Sequence, residues 1–139
     1  MISTSAVWAQ TTADMVAKQR NCRTLYNSSV QLHQAARGYY QKASRIIASS
    51  DKLPKGDEHT KGIESAMAEL DFAFKHFNFA EDKFAEAGVA CNTIIPEMAE
   101  KIGKEVDSVR ADKGAVRTLQ FQLRETLSNY SAEAAAKKK

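Results

Sequence analysis

The sequence predicts an all-α protein built as a long antiparallel helical hairpin of the coiled-coil type. Three observations carry this. Apolar residues follow a heptad from Trp8 onward and recur in steps of three and four once past Cys22, which is the period of a helix face and not the alternation of a strand. Only six Gly and two Pro interrupt 139 residues, too few breakers for an all-β fold that turns every ten residues or so. Apolar residues make up 43 % and charged residues 27 %, a balance that excludes a disordered chain. The length allows one domain, residues 1–139, with one core.

The first helix is expected over about residues 5–51. Its stripe runs Met15, Cys22, Leu25, Ser29, Leu32, Ala36, Tyr39, Ala43, Ile46, Ser50, Leu53. The small members Ser29, Ala36 and Ala43 imply a close approach by a neighbouring helix. A breaker cluster follows, Asp51-Lys-Leu-Pro54-Lys-Gly56-Asp57. Pro and Gly two apart place a turn at 52–57, with Asp57 positioned to cap what comes next.

The second helix is expected over about residues 58–132. Its stripe passes through Ile63, Met67, Leu70, Phe74, Phe77, Phe84, Cys91, Ile95, Met98, Ile102, Val109, Val116 and Leu123 to Tyr130. Pro96 removes one hydrogen bond and clashes with the carbonyl of Asn92. The heptad phase crosses Pro96 without a slip and no long polar loop surrounds it, so a kink is expected there. The alternative is a chain that folds back at Pro96 into a three-helix bundle.

At about 1.5 Å per residue the two helices measure roughly 70 Å and 110 Å. A hairpin closed at 54–56 sets Cys22 near Cys91, Tyr39 near Phe72 to Phe74, and Ile46 near Ser65 to Met67. The stripe from Val109 to Tyr130 then has no partner in the chain, which argues for completion of the bundle by a second copy. Five phenylalanines between Leu70 and Phe84 widen the apolar surface beyond what one neighbour covers. The candidate dimer interface is therefore Phe72, Phe77, Phe79, Phe84, Val109, Val116 and Leu123, the alternative being that the phenylalanines form a broad core face in a compact bundle.

The net charge of +3 conceals a pattern. Residues 15–50 carry Lys18, Arg20, Arg23, Arg37, Lys42 and Arg45 and no acid, residues 51–100 hold eleven acids against five lysines, and the remainder is basic again. Pairing of the basic first helix with the acidic start of the second accounts for part of this. It leaves Arg110, Lys113, Arg117 and Arg124 following one another on a single face, with Gln120 in the step between the last two. Together with Lys101, Lys104 and the terminal Lys137-Lys138-Lys139 they form a candidate surface for anionic lipid, the alternative being a merely solvated face, since Asp107, Asp112 and Glu125 dilute the charge.

Signals of catalysis are missing. The chain has no G-x-x-x-x-G-K-[ST], G-x-G-x-x-G, C-x-x-C or G-x-S-x-G. None of the three histidines has an acid three residues before it, as a di-iron bundle needs. His33, His59 and His76 are read as solvent or helix-surface residues. No catalytic, cofactor-binding or metal-binding residue is assigned, and no cofactor and no nucleic-acid partner is expected. Cys22 and Cys91 are read as small buried thiols in a reducing compartment, with a disulfide between them as the alternative. Asn27-Ser-Ser and Asn129-Tyr-Ser match glycosylation sequons. No apolar run reaches a membrane span and the first residues lack the pattern of a signal peptide, so a cytoplasmic protein is expected.

The long basic helix, the Pro/Gly turn and the second helix kinked at Ile94-Ile95-Pro96-Glu97-Met98 and continued by Glu100-Lys101-Ile-Gly-Lys104-Glu105 resemble the first two helices of a BAR (Bin/Amphiphysin/Rvs) domain. Arg37-Gly-Tyr39-Tyr40 is similar to the segment before the first turn in the inverse-BAR branch. The resemblance spans about residues 15–130 and departs from the family in lacking a third long helix. It implies a non-enzymatic antiparallel homodimer that binds anionic phospholipid membranes as a peripheral protein and senses or shapes curvature. By position, Lys101, Lys104, Arg110, Lys113, Arg117 and Arg124 would contact lipid. The competing expectation is a coiled-coil adaptor or scaffold that docks a helical protein partner without lipid.

Overall fold

The computed structural model describes the backbone of residues 4–137 and the side chains of residues 11–137; Lys138 and Lys139 lie outside them. Three helices succeed one another, α1 over Thr4–Asp51, α2 over Asp57–Cys91 and α3 over Pro96–Lys137, and there is no strand among the described residues. They run up, down and up. Each is long because its interior is free of proline and rich in straight-chain residues and alanine.

The seam between α1 and α2 follows the register read from the sequence. Cys22 meets Cys91, Tyr39 stacks on Phe72 at 5.6 Å and Lys42 pairs with Glu69 at 2.9 Å. Small residues line both sides. Cys22, Ser29, Ala36, Ala43 and Ser50 are buried along α1, and Ala66, Ala73, Ala80 and Ala87 along α2. Such side chains let two helix backbones come close, and Gly62 marks the tightest point. A Cβ there would stand 1.8 Å from Ser50 Oγ and 2.9 Å from Ser50 Cβ, inside any tolerable contact. Gly56, not Asp57, takes the N-cap position of α2. Asp57 and Glu58 sit in the first turn, where their charge meets the positive end of the helix dipole.

The expected kinked helix over 58–132 is corrected to two helices. α2 stops at Cys91, whose carbonyl accepts from the amides of Ile94 (3.1 Å) and Ile95 (3.0 Å), and α3 starts at Pro96. The physical reason is positional. Proline is costly inside a helix but fits its first residue, where the missing N–H would have no partner anyway. Four residues, 92–95, suffice to reverse the chain. α3 then lies antiparallel to α2 in a second register, with Glu81 facing Arg110 and Lys113, Asp71 bonded to Gln120, and His59 bonded to Tyr130.

This reversal supplies the cover that a second chain was expected to give. Phe77, Phe84, Val109, Val116 and Leu123 are all buried within the single chain, at 7 % exposure or less. They form the three-helix core and not a surface for dimerisation. Of the seven candidate interface residues only Phe72 and Phe79 remain open, each at 49 %. The third long helix absent from the sequence reading is present as α3, although three long helices by themselves do not define a BAR domain.

Candidate functional site

Three places on the bundle present unusual chemistry. The first is the junction of α1 with α3. His33 projects from α1 at 3 % exposure, with its ring against the edges of Phe77 and Phe84 of α2. Nδ1 lies 3.2 Å from Glu105 Oε2 and Nε2 lies 2.8 Å from Asp112 Oδ2. Carboxylates only accept, so both contacts are hydrogen bonds when both ring nitrogens carry protons. Arg37, one turn further along α1, donates to Asp112 (3.1 Å) and to Ser108 (3.0 Å). Beside this cluster a groove of about 340 Å³ is lined by Arg37, Tyr40, Gln41, Phe77, Asp112 and Ala115. At the other end of the bundle His59 donates from Nδ1 to the carbonyl of Ser50 (2.6 Å), leaving Nε2 to accept from the Tyr130 hydroxyl (3.0 Å).

His33 and His59 are thus not surface residues as the sequence suggested. Each is buried and bonded between helices, and only His76 stays half-open, facing the Phe72 carbonyl at 2.8 Å. The missed signal lies four residues from the small-residue line of α1. Tyr26, His33, Tyr40 and Ile47 form a second stripe that becomes legible once two neighbours are assumed. No group of three His, Cys, Asp or Glu side chains suited to a metal ion occurs among the described residues.

The second place is the row of basic residues on α3. Arg110, Arg117 and Arg124 are exposed along it and Lys113 is half-buried. Arg110 and Lys113 reach Glu81 at 3.5 and 3.6 Å, and the Arg117 guanidinium lies 4.6 Å above the Phe74 ring. These three lie along the α2–α3 seam, part of their charge directed to α2. Lys104 pairs with Glu100 at 3.8 Å within α3. Lys101 and Arg124 are exposed, Arg124 beside Asp71, Phe74 and Phe121. Gln120, a filler in the sequence reading, is buried and donates to Asp71 at 2.8 Å.

The third place is an aromatic ladder on the open flank of α1 and α2. Tyr39 stacks on Phe72, its ring also lies 4.8 Å from His76, and His76 meets Phe79 at 5.9 Å. Phe72 and Phe79, a heptad apart, keep half their surface in water. This is an aromatic surface of the composition that concentrates binding energy in protein interfaces.

The cysteines are joined. Cys22 and Cys91 form a disulfide across the α1–α2 seam, both fully buried, with the Met98 sulfur 3.5 Å from that of Cys22. The alternative of the sequence reading therefore replaces the paired free thiols. The hairpin register brought the two positions together, and residue type alone does not decide whether the bond forms.

What these features define is a class, an all-α three-helix antiparallel bundle with one disulfide and an open aromatic flank. Comparison with known protein families, with curated proteins and with solved structures finds no match for the chain.

Proposed function

We propose that this protein is a non-enzymatic helical scaffold whose aromatic flank on α1 and α2 docks a helical protein partner. The observation that carries the reading is the ladder Tyr39, Phe72, His76 and Phe79. Its two phenylalanines stay half-exposed in a bundle that buries Phe77 and Phe84 completely. An amphipathic helix laid along this flank would cover both rings with residues one heptad apart.

The membrane-binding reading has narrower support. Lys101, Arg110, Arg117 and Arg124 are exposed to anionic headgroups, Arg110 and Arg117 while also touching Glu81 and Phe74, whereas Lys113 is half-buried beside Glu81 and Lys104 pairs with Glu100. The buried disulfide favours an oxidising compartment over the cytoplasm as the place of action.

The test places a photo-crosslinking amino acid at position 79 in cells that make the protein, with the same probe at exposed position 101 as control. The scaffold reading expects a discrete crosslinked protein from 79 that is lost on Phe72→Ala. A protein that yields none, yet sediments with phosphatidylserine vesicles in a salt-sensitive way abolished by charge reversal at Arg110, Arg117 and Arg124, would replace it with the membrane reading.

A further inference from the structure

Two motifs of the chain are used neither by the core nor by the aromatic flank. Asn27-Ser28-Ser29 lies on α1 and Asn129-Tyr130-Ser131 on α3, each an asparagine followed, after one residue other than proline, by a serine. Such a motif acts only where sugar is attached to protein in the lumen of the secretory pathway, and the Cys22–Cys91 disulfide belongs to an oxidising compartment of that kind. The fold puts both asparagines on outward faces. Asn27 stands roughly two and a half helical turns from the fully buried Ala36, on the side of α1 opposite the core. Asn129 stands roughly five and a half turns from the fully buried Val109, on the back of α3. Both are exposed, and so are their neighbours one turn away, Arg23, Thr24 and Gln31 around the first and Glu125, Ala132 and Glu133 around the second. Neither side-chain amide has a hydrogen bond among the described residues.

We propose that Asn27 and Asn129 are N-glycosylation sites. In each, the side-chain nitrogen forms a bond to the anomeric carbon of an oligosaccharide carried on a lipid pyrophosphate. The bond from that carbon to the pyrophosphate oxygen breaks, the lipid pyrophosphate leaves, and the amide gives up one proton; nothing is oxidised or reduced. A glycan at either position extends into solvent without displacing a helix.

The two sites differ in timing. Ser29 is fully buried in the α1–α2 seam and donates its hydroxyl to the Leu25 carbonyl at 2.6 Å, so a transferase cannot read it in the folded bundle. The helix that closes this seam, α2, is synthesised after α1, and Asn27 is modified on the emerging chain before the seam forms. Ser131 is exposed, so the Asn129 motif stays readable after folding. Neither glycan covers the aromatic flank, because Tyr39 lies about a third of a turn round α1 from Asn27 and Phe72 and Phe79 belong to α2. The inference is therefore independent of the scaffold reading.

Mass spectrometry of the protein isolated from the cells that make it, before and after peptide-N-glycosidase F, tests this. The intact chain is expected above the 15.4 kDa of its sequence, and digestion should remove the excess and leave aspartate at positions 27 and 129. In the same cells Asn27→Gln and Asn129→Gln should each lose one of two mobility steps on a denaturing gel. Ser131→Ala should lose the Asn129 step and Ser131→Thr should keep it, which separates reading of the motif from any effect of changing the asparagine; position 131 is exposed, so neither change disturbs the fold. Peptides with unmodified asparagine at both positions overturn the inference, as does a mass excess that survives digestion or both asparagine replacements. A step at one site alone overturns the assignment of the other. Crosslinking from position 79 reports on the flank separately, so either proposal can fail while the other stands.

Discussion

Replacing Cys22 and Cys91 together by alanine isolates what the disulfide contributes, because both sulfurs are fully buried among small residues and alanine leaves no polar group behind. The bond links residues 69 apart in sequence. In the chain-entropy account, closing a loop of that length removes roughly 15 cal/mol/K from the unfolded chain, or about 4 kcal/mol at 25 °C. Small domains hold about 5–15 kcal/mol in total, so the urea midpoint, followed by circular dichroism at 222 nm, should fall by about a quarter or more. Reduction of the native protein should give the same shift, after slow access of the reductant to the buried bond. Thiol titration of the purified protein without reductant should read zero. Two reactive thiols in that sample, or a midpoint indifferent to the double replacement, would refute the reasoning.

Gly62→Ala should destabilise by about 1–3 kcal/mol, the usual cost of overpacking, because the new Cβ meets Ser50 Cβ at 2.9 Å and the α1–α2 seam must open; an unchanged midpoint in urea would count against the close approach. Phe84→Ala should cost about 3–5 kcal/mol, since its ring is fully buried, whereas Phe72→Ala should move the midpoint little. Equal effects would contradict the assignment of one to the core and the other to the surface. At the far end of the bundle the Lys55 ammonium, bonded to Glu133 and attracting its charge, holds that carboxyl below its ordinary range. The contact is therefore present above the normal carboxylate titration and lost as pH falls through the lowered value. Lys55→Met should raise the Glu133 titration seen by carbon-13 NMR; no upward movement would dismiss the pair.

The α1–α2 half of the fold was legible because a heptad stripe and one breaker cluster fix a hairpin register, and that register correctly paired Cys22 with Cys91 and Tyr39 with Phe72. The second half was not. Helix reversal at 92–95 leaves no long polar loop and no phase slip, so a continuous stripe from Ile63 to Tyr130 reads the same for one kinked rod as for two antiparallel helices. Proline 96 carries the difference only through its position, interior or first residue. The same ambiguity hid the roles of His33 and Gln120. A polar residue beside a core line reads as surface until a third helix arrives to bury it, and the partners that satisfy His33, Glu105 and Asp112, lie more than 70 residues away. The aromatic flank was half-legible: the spacing of Phe72 and Phe79 marked a second apolar face, and the structure leaves that face open while closing the stripe beyond Val109.

Because α2 lies between both neighbours, the three helices are unequal in the changes they tolerate. Along α2 the residues Ala66, Ala73, Ala80 and Ala87 have no free surface, so an added methylene there must displace another helix. The outward side of α3 touches neither, and exposed positions such as Lys101, Gly103 and Gln122 can be exchanged without repacking anything. Sequence drift should therefore be slow on α2 and fast on the back of α3, and an engineer seeking to graft a new recognition surface onto this bundle would begin there.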